Sequence, residues 1–265
     1  MKAYLITALL CFASAANGDQ HPILSLVIDD IGYSLSRGQA AIKLEGDHTY
    51  AIIPGASNSH KLANLARQLG KEIILHLPLQ ASRPSAPSEP NALNESMDEN
   101  QLTRNMVLML SEFPGIRGIN NHMGSHLTEI SYFMRPIMDS IRRHSPKLYF
   151  LDSRTTPRSI AYSEAINFGL ESISRDVFLD NQHNNIESIR LQYQIWLEKA
   201  RQRGSAVAIG HPHLNTIQFL RENLPEAAKD FRIMRISKLI EMDNLVRERD
   251  TWKNYLSYLQ NPASN

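Results

Sequence analysis

Short apolar runs alternate with amphipathic helical patterns along most of this chain. Apolar runs of this length, rich in Ile, Val and Leu, are typical of strands that are buried on both faces of a parallel sheet. They predict strands at 24–29, 50–53, 72–77, 116–120, 148–152, 171–174, 206–209 and 232–236. The patterns between them predict helices at 36–44, 57–69, 102–112, 132–144, 186–202 and 216–224.

This alternation of strand and helix predicts an α/β fold. Seven or eight such units form a (β/α) barrel, either irregular or incompletely closed. Two stretches depart from the pattern. Residues 80–100 hold three prolines and many polar residues, which predicts a long loop that is either a substrate gate or a plain surface excursion. Residues 245–259 place apolar side chains on one helical face, which we expect to dock on the barrel wall or, alternatively, to bind a partner.

Composition and charge exclude some classes of partner. The chain has 265 residues, a formal net charge of +1 and no run of Lys and Arg. Recognition of nucleic acid or of a membrane surface through bulk charge is therefore not expected. A glycan or another weakly charged ligand fits better.

The N-terminus has the pattern of a signal peptide, assigned to residues 1–17. Met1 and Lys2 give a short positive region, residues 3–12 are apolar, and Ala13-Ser14-Ala15 has the small-x-small pattern of a cleavage site. The alternative is a buried N-terminal strand. Cys11 is the only cysteine and lies in the apolar region, so the mature chain would have none. We expect export to the bacterial periplasm and no membrane span after cleavage.

Acidic and histidine residues follow several of the predicted strands. In βα folds the carboxyl ends of the strands share one face, where catalytic groups gather. These residues are therefore expected around one mouth; they include Asp29, Asp30, His76, His122, His126, Asp152 and His211.

His122 and His126 have the spacing of two metal ligands on one helical turn. Asp30 supplies a third ligand of suitable type. Two nitrogens and one oxygen leave a position open for water, which is the usual plan of a hydrolytic zinc site. Asp29 and Asp30 would point to opposite faces of a regular strand, but a turn near Gly32 could aim both inward. Otherwise one of the two is a helix cap or an ion-pair partner.

His211 and His213 follow the strand at 206–209 and flank Pro212. Either could be a general acid, and His211, which lies nearer to the strand end, is our choice. His213 is then a helix cap or a rim residue. The alternative for both is a solvated loop histidine.

Five segments together resemble the divergent polysaccharide deacetylase family, the YibQ-like proteins, a distant branch of the NodB-type carbohydrate esterases. The segments are residues 27–32 (VIDDIG), 120–125 (NNHMGS), 150–156 (FLDSRTT), 175–180 (RDVFLD) and 209–212 (IGHP). The resemblance implies a single-domain, distorted (β/α)7-8 barrel of the NodB type with a divalent metal, commonly zinc. It also implies that Asp29 is the catalytic base, Asp30, His122 and His126 are metal ligands, and His211 is the general acid.

The chain departs from the wider esterase pattern at several positions. Ile31-Gly32 replaces the usual Gly-Pro, and Met123 stands where Ser or Thr is usual. The arginine that orients the base has no clean match, although Arg154 with Pro157, or Arg175, could substitute. Substrate-binding or supporting roles are further assigned to His76, Asn121, Asp152, Arg154, Arg175, Asp176 and His213.

The sequence therefore predicts a metal-dependent hydrolase that removes an acyl group, such as acetyl, from a cell-envelope glycan, with metal-bound water as nucleophile. The alternatives are a non-catalytic glycan-binding or envelope-assembly protein and, less favoured, a phosphoesterase that uses Asp152, Asp176 and Asp180 for two metals. The deacetylase barrel is assigned to residues 22–240 and a helical tail to 241–265. The sequence does not identify a protein partner.

Overall fold

The computed structural model describes residues 21–82 and 91–260, without the side chains of 256–260. The predicted signal peptide, Cys11 and residues 83–90 of the predicted long loop lie outside the described residues.

Strands and helices alternate through the described residues. The strands are β1 (Ile23–Ile31), β2 (Thr49–Ile52), β3 (Glu72–Leu79), β4 (Gly118–Met123), β5 (Tyr149–Asp152), β6 (Ser172–Ser174), β7 (Val177–Phe178), β8 (Ser205–Gly210) and β9 (Arg232–Ile233). The helices are α1 (Leu35–Ile42), α2 (Ser59–Gln68), α3 (Glu99–Glu112), α4 (Ser131–His144), α5 (Ala161–Asn167), α6 (Ile186–Arg203), α7 (Leu214–Asp230) and α8 (Ile236–Gln260), with a short 3-10 helix at Leu127–Glu129.

The strands form one parallel sheet in the order β6-β5-β4-β3-β2-β1-β8-β7, with β9 added beside the start of β1. The sheet curls into an incompletely closed barrel, as the sequence predicts, with β6 and β7 at its two edges. Because the pairings between the described strands are parallel, the carboxyl ends of β1, β3, β4, β5 and β8 share one end of the barrel.

Apolar side chains fill both faces of the sheet. One large cluster lies between the sheet and the surrounding helices. A second, smaller cluster contains inward-facing strand residues such as Val27 and Ile74 together with Ile236 and Leu239 from the start of α8. The backbone N–H of Ile236 donates to Thr49 Oγ1 at the first residue of β2 (3.1 Å), so α8 begins against the amino ends of the strands. The start of α8 therefore covers the amino end of the barrel, and a functional site is expected at the carboxyl end.

Some elements differ from those predicted. The short elements α5 and β7 were not predicted, and α7 continues through Pro225 instead of ending before it. The expectation that residues 245–259 dock on the barrel wall is wrong for the side chains described: Leu245, Trp252 and Tyr255 are 65%, 64% and 51% exposed. No helix in the described part of the chain is long and apolar enough to cross a membrane.

Candidate active site

The candidate site lies at the carboxyl ends of β1, β3, β4 and β8. The register of the sheet places His76 of β3 beside Asn120 of β4, and Ile28 of β1 beside Gly210 at the end of β8. Asp29, Asp30, His122 and His211 lie one or two residues beyond these paired positions. The predicted gathering of strand-end residues at one mouth is confirmed for this set.

A turn at the end of β1 aims two adjacent aspartates toward His76. Asp30 has a φ of 56°, in the left-handed region that is costly for residues other than glycine. As a result, Asp29 Oδ2 and Asp30 Oδ1 lie 3.6 and 3.2 Å from the same atom, His76 Nε2. Gly32 follows with a φ of 153°, and a Cβ there would come within 2.4 Å of Ser59 Oγ. The turn predicted near Gly32 is confirmed.

Asp30, His76 and His122 form a compact set of three metal-capable atoms. Asp30 Oδ1 is 3.2 Å from His76 Nε2 and 3.0 Å from His122 Nδ1, and the two nitrogens are 3.2 Å apart. Ligands at tetrahedral zinc are separated by roughly 3.3 Å, since zinc–ligand bonds measure about 2.0–2.2 Å. The spacing and the two-nitrogen, one-oxygen donor set therefore fit a zinc-like divalent ion with one open position.

His126 does not belong to this set. His122 lies in a strand instead of a helix, and Met123 and Gly124 then turn the chain with φ values of 54° and 86°. His126 Nε2 lies instead 2.7 Å from Glu95 Oε2 near the surface. The prediction that both imidazoles lie on one face of a helical turn is wrong. Side chains four residues apart lie close together in this way only in a helix, and this segment is not helical.

His76 takes the place that the sequence analysis gave to His126. Its side chain is buried, which argues against the substrate-binding role considered for it. Burial disfavours the charged imidazole, but the charge of Asp29 and the hydrogen bond with Asp30 outweigh it and raise the pKa of His76. Burial likewise opposes ionisation of Asp30, yet hydrogen bonds from His122 and His76 hold its pKa well below the usual range. Asp30 and His76 thus both favour their charged forms.

Asp29 has the environment of a proton acceptor. Its side chain is buried, and Oδ1 accepts a hydrogen bond of 2.8 Å from Asn120 Nδ2. Burial raises its pKa, with a further contribution from the charge of Asp30 and against the opposite influence of His76 and His211. A carboxylate with a raised pKa holds a transferred proton more readily than an exposed one.

His211 has the environment of a proton donor. Its Nδ1 lies 2.9 Å from Asp180 Oδ1, and its backbone N–H donates to Asp180 Oδ2 at 2.8 Å. The opposite ring nitrogen, Nε2, is 3.9 Å from Asp30 Oδ2 and so faces the metal-capable set. Burial lowers the pKa of His211, but the hydrogen bond and charge of Asp180 prevail and raise it to about 9. His211 is therefore protonated at neutral pH.

His213 lies at the rim, where its ring stacks on His183 with the centroids 4.2 Å apart. It occupies the N-cap position of α7, but its side chain makes no capping hydrogen bond. Of the two roles considered for His213, the structure supports the rim position.

The carboxylates considered for a two-metal site are engaged elsewhere. Asp152 accepts from the backbone N–H of Arg154 and from Ser159 Oγ, both at 2.8 Å, and so stabilises the loop after β5. Asp176 pairs with Arg203 at 3.0 Å and accepts from the N–H of Val207, which argues against the predicted substrate contact. With Asp180 bound to His211, no second carboxylate-rich centre forms among the described residues.

The other residues that were predicted to support the site, Asn121 and Arg175, form hydrogen bonds mainly with backbone atoms. Asn121 accepts from the N–H of Ser153 at 2.9 Å and donates to the carbonyl of Met123 at 2.8 Å. Arg175 donates from Nε to the carbonyl of Ser153 (2.6 Å) and from Nη2 to that of Arg154 (2.8 Å). Among the described contacts neither this side chain nor Arg154, which is exposed, donates a hydrogen bond to Asp29, although the charges of Arg175 and Asp29 interact. An arginine that orients the base therefore stays a prediction.

Sequence reasoning missed two features of the site. Asp180 is considered only as a ligand of the alternative two-metal site and not as the partner of His211, although it follows the apolar run Val177-Phe178-Leu179. Asn120 was noted only as part of a motif, because a polar residue inside a strand has no local signature of what it faces.

The chain was compared with known families and structures. A model described as "divergent polysaccharide deacetylase" matches residues 26–240. The chain belongs to this divergent polysaccharide deacetylase family. Among curated relatives it is 33% identical over 217 residues to the uncharacterized protein YibQ of Escherichia coli K12, covering 82% of this chain and 67% of YibQ. It is 31% identical over 223 residues to an uncharacterized protein of Haemophilus influenzae, covering 84% and 78%.

Solved structures related to this family member support the same fold. The crystal structure of the uncharacterized protein ATU2773 from Agrobacterium tumefaciens C58 matches with a TM-score of 0.78 and 21% identity, covering 84% of this chain and 90% of that one. At this identity the likeness establishes the fold alone. The family assignment and the site geometry together lead to the proposal below.

Proposed function

We propose that this protein is a metal-dependent hydrolase that removes an acyl group, such as acetyl, from a cell-envelope glycan. The observation that carries the proposal is the arrangement of Asp29 and His211 beside the metal-capable set. One is a buried carboxyl group with a raised pKa, and the other is a histidine that is protonated at neutral pH. Base and acid are the two groups that acyl hydrolysis requires.

Asp30, His76 and His122 would hold the metal, for which zinc suits the donor set best. When bound, such an ion polarises an acyl carbonyl and lowers the pKa of water. Asp29 accepts a proton from the attacking water while the oxygen of that water bonds to the carbonyl carbon. His211 gives its Nε2 proton to the leaving amine or alcohol as the C–N or C–O bond breaks, which yields a carboxylic acid and the deacylated sugar. Asp180 keeps His211 oriented for this transfer.

The glycan and the compartment rest on the family and on the N-terminal sequence. A polysaccharide deacetylase family model covers most of the chain, and residues 1–17 have the pattern of an export signal. We therefore propose that the substrate belongs to the envelope and that the protein acts in the periplasm. The exposed Arg154 and the stacked His183 and His213 are the rim groups available to contact sugar.

The test is acetate release from acetylated envelope glycans by protein loaded with zinc, compared with Asp29→Asn. We expect wild-type turnover and a loss of about 10²- to 10⁴-fold in the variant, while one zinc per chain is retained. If zinc is bound but no acylated glycan is hydrolysed, the non-catalytic glycan-binding alternative is favoured. If no metal is bound even in excess zinc, the hydrolase proposal is wrong.

A further inference from the structure

Asn120 lies at the centre of a buried hydrogen-bond network that joins two parts of the site. The side chain is fully buried. Its Nδ2 lies 2.8 Å from Asp29 Oδ1 and 3.2 Å from Ser153 Oγ, and its Oδ1 lies 2.8 Å from His76 Nδ1. The proposed base and one proposed metal ligand therefore share a single amide.

The chemistry of Asp29 determines which way the amide faces. An ionised carboxylate only accepts hydrogen bonds, so the Asn120 group beside Asp29 must be the NH₂ donor. The carbonyl oxygen of Asn120 then faces His76, and it can only accept. His76 Nδ1 must therefore carry a proton, and in the neutral ring that metal binding requires the lone pair then lies on Nε2.

The lone pair on Nε2 is the one that a metal requires. This atom lies 3.2 Å from both Asp30 Oδ1 and His122 Nδ1, within the metal-capable set. The same network also determines which oxygen of Asp29 is available. Oδ1 is held by Asn120, whereas Oδ2 faces His76 Nε2 at 3.6 Å.

We propose that Asn120 is a positioning residue that fixes the metal-binding tautomer of His76 and, through its other end, the orientation of Asp29. It thereby shares the role that the wider esterase pattern gives to an arginine. The part that concerns Asp29 as base rests on the proposed function. The part that concerns His76 depends only on metal binding.

Two substitutions separate the two ends of the amide. Asn120→Ala removes both contacts, and the loss of such a support to a ligating histidine weakens metal binding about 10- to 100-fold. Asn120→Asp keeps an oxygen that accepts from His76 Nδ1 but replaces the donor beside Asp29 with an acceptor. We expect its zinc affinity to stay within about threefold of wild type and its kcat for deacylation to fall at least as far as that of the alanine variant.

Zinc affinity is measured by competition with a chromophoric chelator. Selective ¹⁵N-histidine NMR of the zinc-loaded protein reports the His76 tautomer directly. A His76 Nδ1–H signal should be present in wild type and in Asn120→Asp. Asn121→Ala is the matched control, because Asn121 is equally buried on the same strand but its side chain forms hydrogen bonds with backbone atoms of Ser153 and Met123. It should lose thermal stability and keep the His76 Nδ1–H signal.

Several outcomes would overturn the proposal. A zinc-loaded wild-type protein whose His76 carries its proton on Nε2 contradicts the tautomer argument without any variant. Equal weakening of zinc binding in Asn120→Ala and Asn120→Asp would show a merely structural role. If the protein hydrolyses no glycan but the affinities follow the predicted order, the proposed function fails and the role of Asn120 toward His76 stands.

Discussion

His211 and Asp180 form a pair in which one carboxylate binds both the side chain and the backbone of the histidine. Asp180 Oδ1 is 2.9 Å from Nδ1, and Oδ2 accepts the backbone N–H of His211 and the hydroxyl of Thr216, each at 2.8 Å. Because Nδ1 is held in this way, Nε2 is the ring nitrogen that can donate toward the mouth. The pair gives the proposed acid both its orientation and its charge.

Replacing Asp180 should lower the pKa of His211. In the metal-free wild type this pKa is raised to about 9, chiefly by Asp180 against the effect of burial. Asp180→Asn removes the negative charge, so we expect the histidine to titrate well below 9. The measurement is an NMR titration of the His211 ring proton. An unchanged pKa would contradict the assigned role of Asp180.

The same pair makes folding stability depend on pH. A histidine whose pKa is raised in the folded state contributes stability that is fully present below its unfolded pKa and is lost as the pH rises through the folded value. The stability difference between wild type and Asp180→Asn should therefore shrink between about pH 6 and pH 10. Thr216→Val is the control, because it removes only one hydrogen bond to Asp180 and leaves the ion pair. The loss in the free energy of unfolding caused by Thr216→Val should vary little over this pH range.

Metal content distinguishes the two histidines that compete for the third ligand position. His76 lies within the metal-capable set, whereas His126 pairs with Glu95. Elemental analysis should find about one zinc per chain in wild type and in His126→Ala, and none in His76→Ala. The reverse result would restore the ligand set predicted from the sequence.

This difference shows where sequence reasoning stops. Local periodicity predicts the barrel and places the ends of β1, β4 and β8 at one mouth, because each of these strands is long enough to be recognised. The spacing of His122 and His126 carries meaning only if the segment is helical, and the turn at Met123 removes that condition. His76 is expected at this mouth because it follows an apolar run, but its place in the metal-capable set depends on the pairing of β3 with β4, and this long-range register has no local signal.

Asp180 shows a second limit of prediction. It follows β7, a strand of two residues, which is too short to produce a period in the sequence. Its role depends on the hydrogen bond between the N–H of Leu179 and the carbonyl of Ile209 (2.8 Å), which brings Asp180 beside His211. A contact between segments this far apart cannot be deduced from either segment alone.

Zinc affinity should rise with pH. A metal binds the neutral imidazole and must displace any proton on the ligating nitrogen. The pKa of His76 is raised by Asp29 and Asp30, so protons compete for this ligand at and above the ordinary pKa of histidine. We expect the apparent Kd for zinc to decrease steadily from mildly acidic to mildly alkaline pH. Calorimetric titration in buffers of different ionisation enthalpy should also detect released protons. Zinc binding without proton release would contradict the raised pKa of His76.

The turn that positions Asp30 should tolerate no side chain at Gly32. Gly32 has a φ of 153°, and an added Cβ would lie 2.4 Å from Ser59 Oγ and 3.0 Å from Ala56 Cβ. Gly32→Ala therefore adds a steric clash to backbone strain, and we expect a loss of about 2–4 kcal/mol in the free energy of unfolding. Gly70→Ala is the matched control, because Gly70 has a φ of 65° but no atom within 4 Å of an added Cβ. Gly70→Ala should lower the free energy of unfolding only through backbone strain, by about 1 kcal/mol. Chemical denaturation of the metal-free proteins measures both values, and equal losses would show that the contact with Ser59 does not constrain the turn.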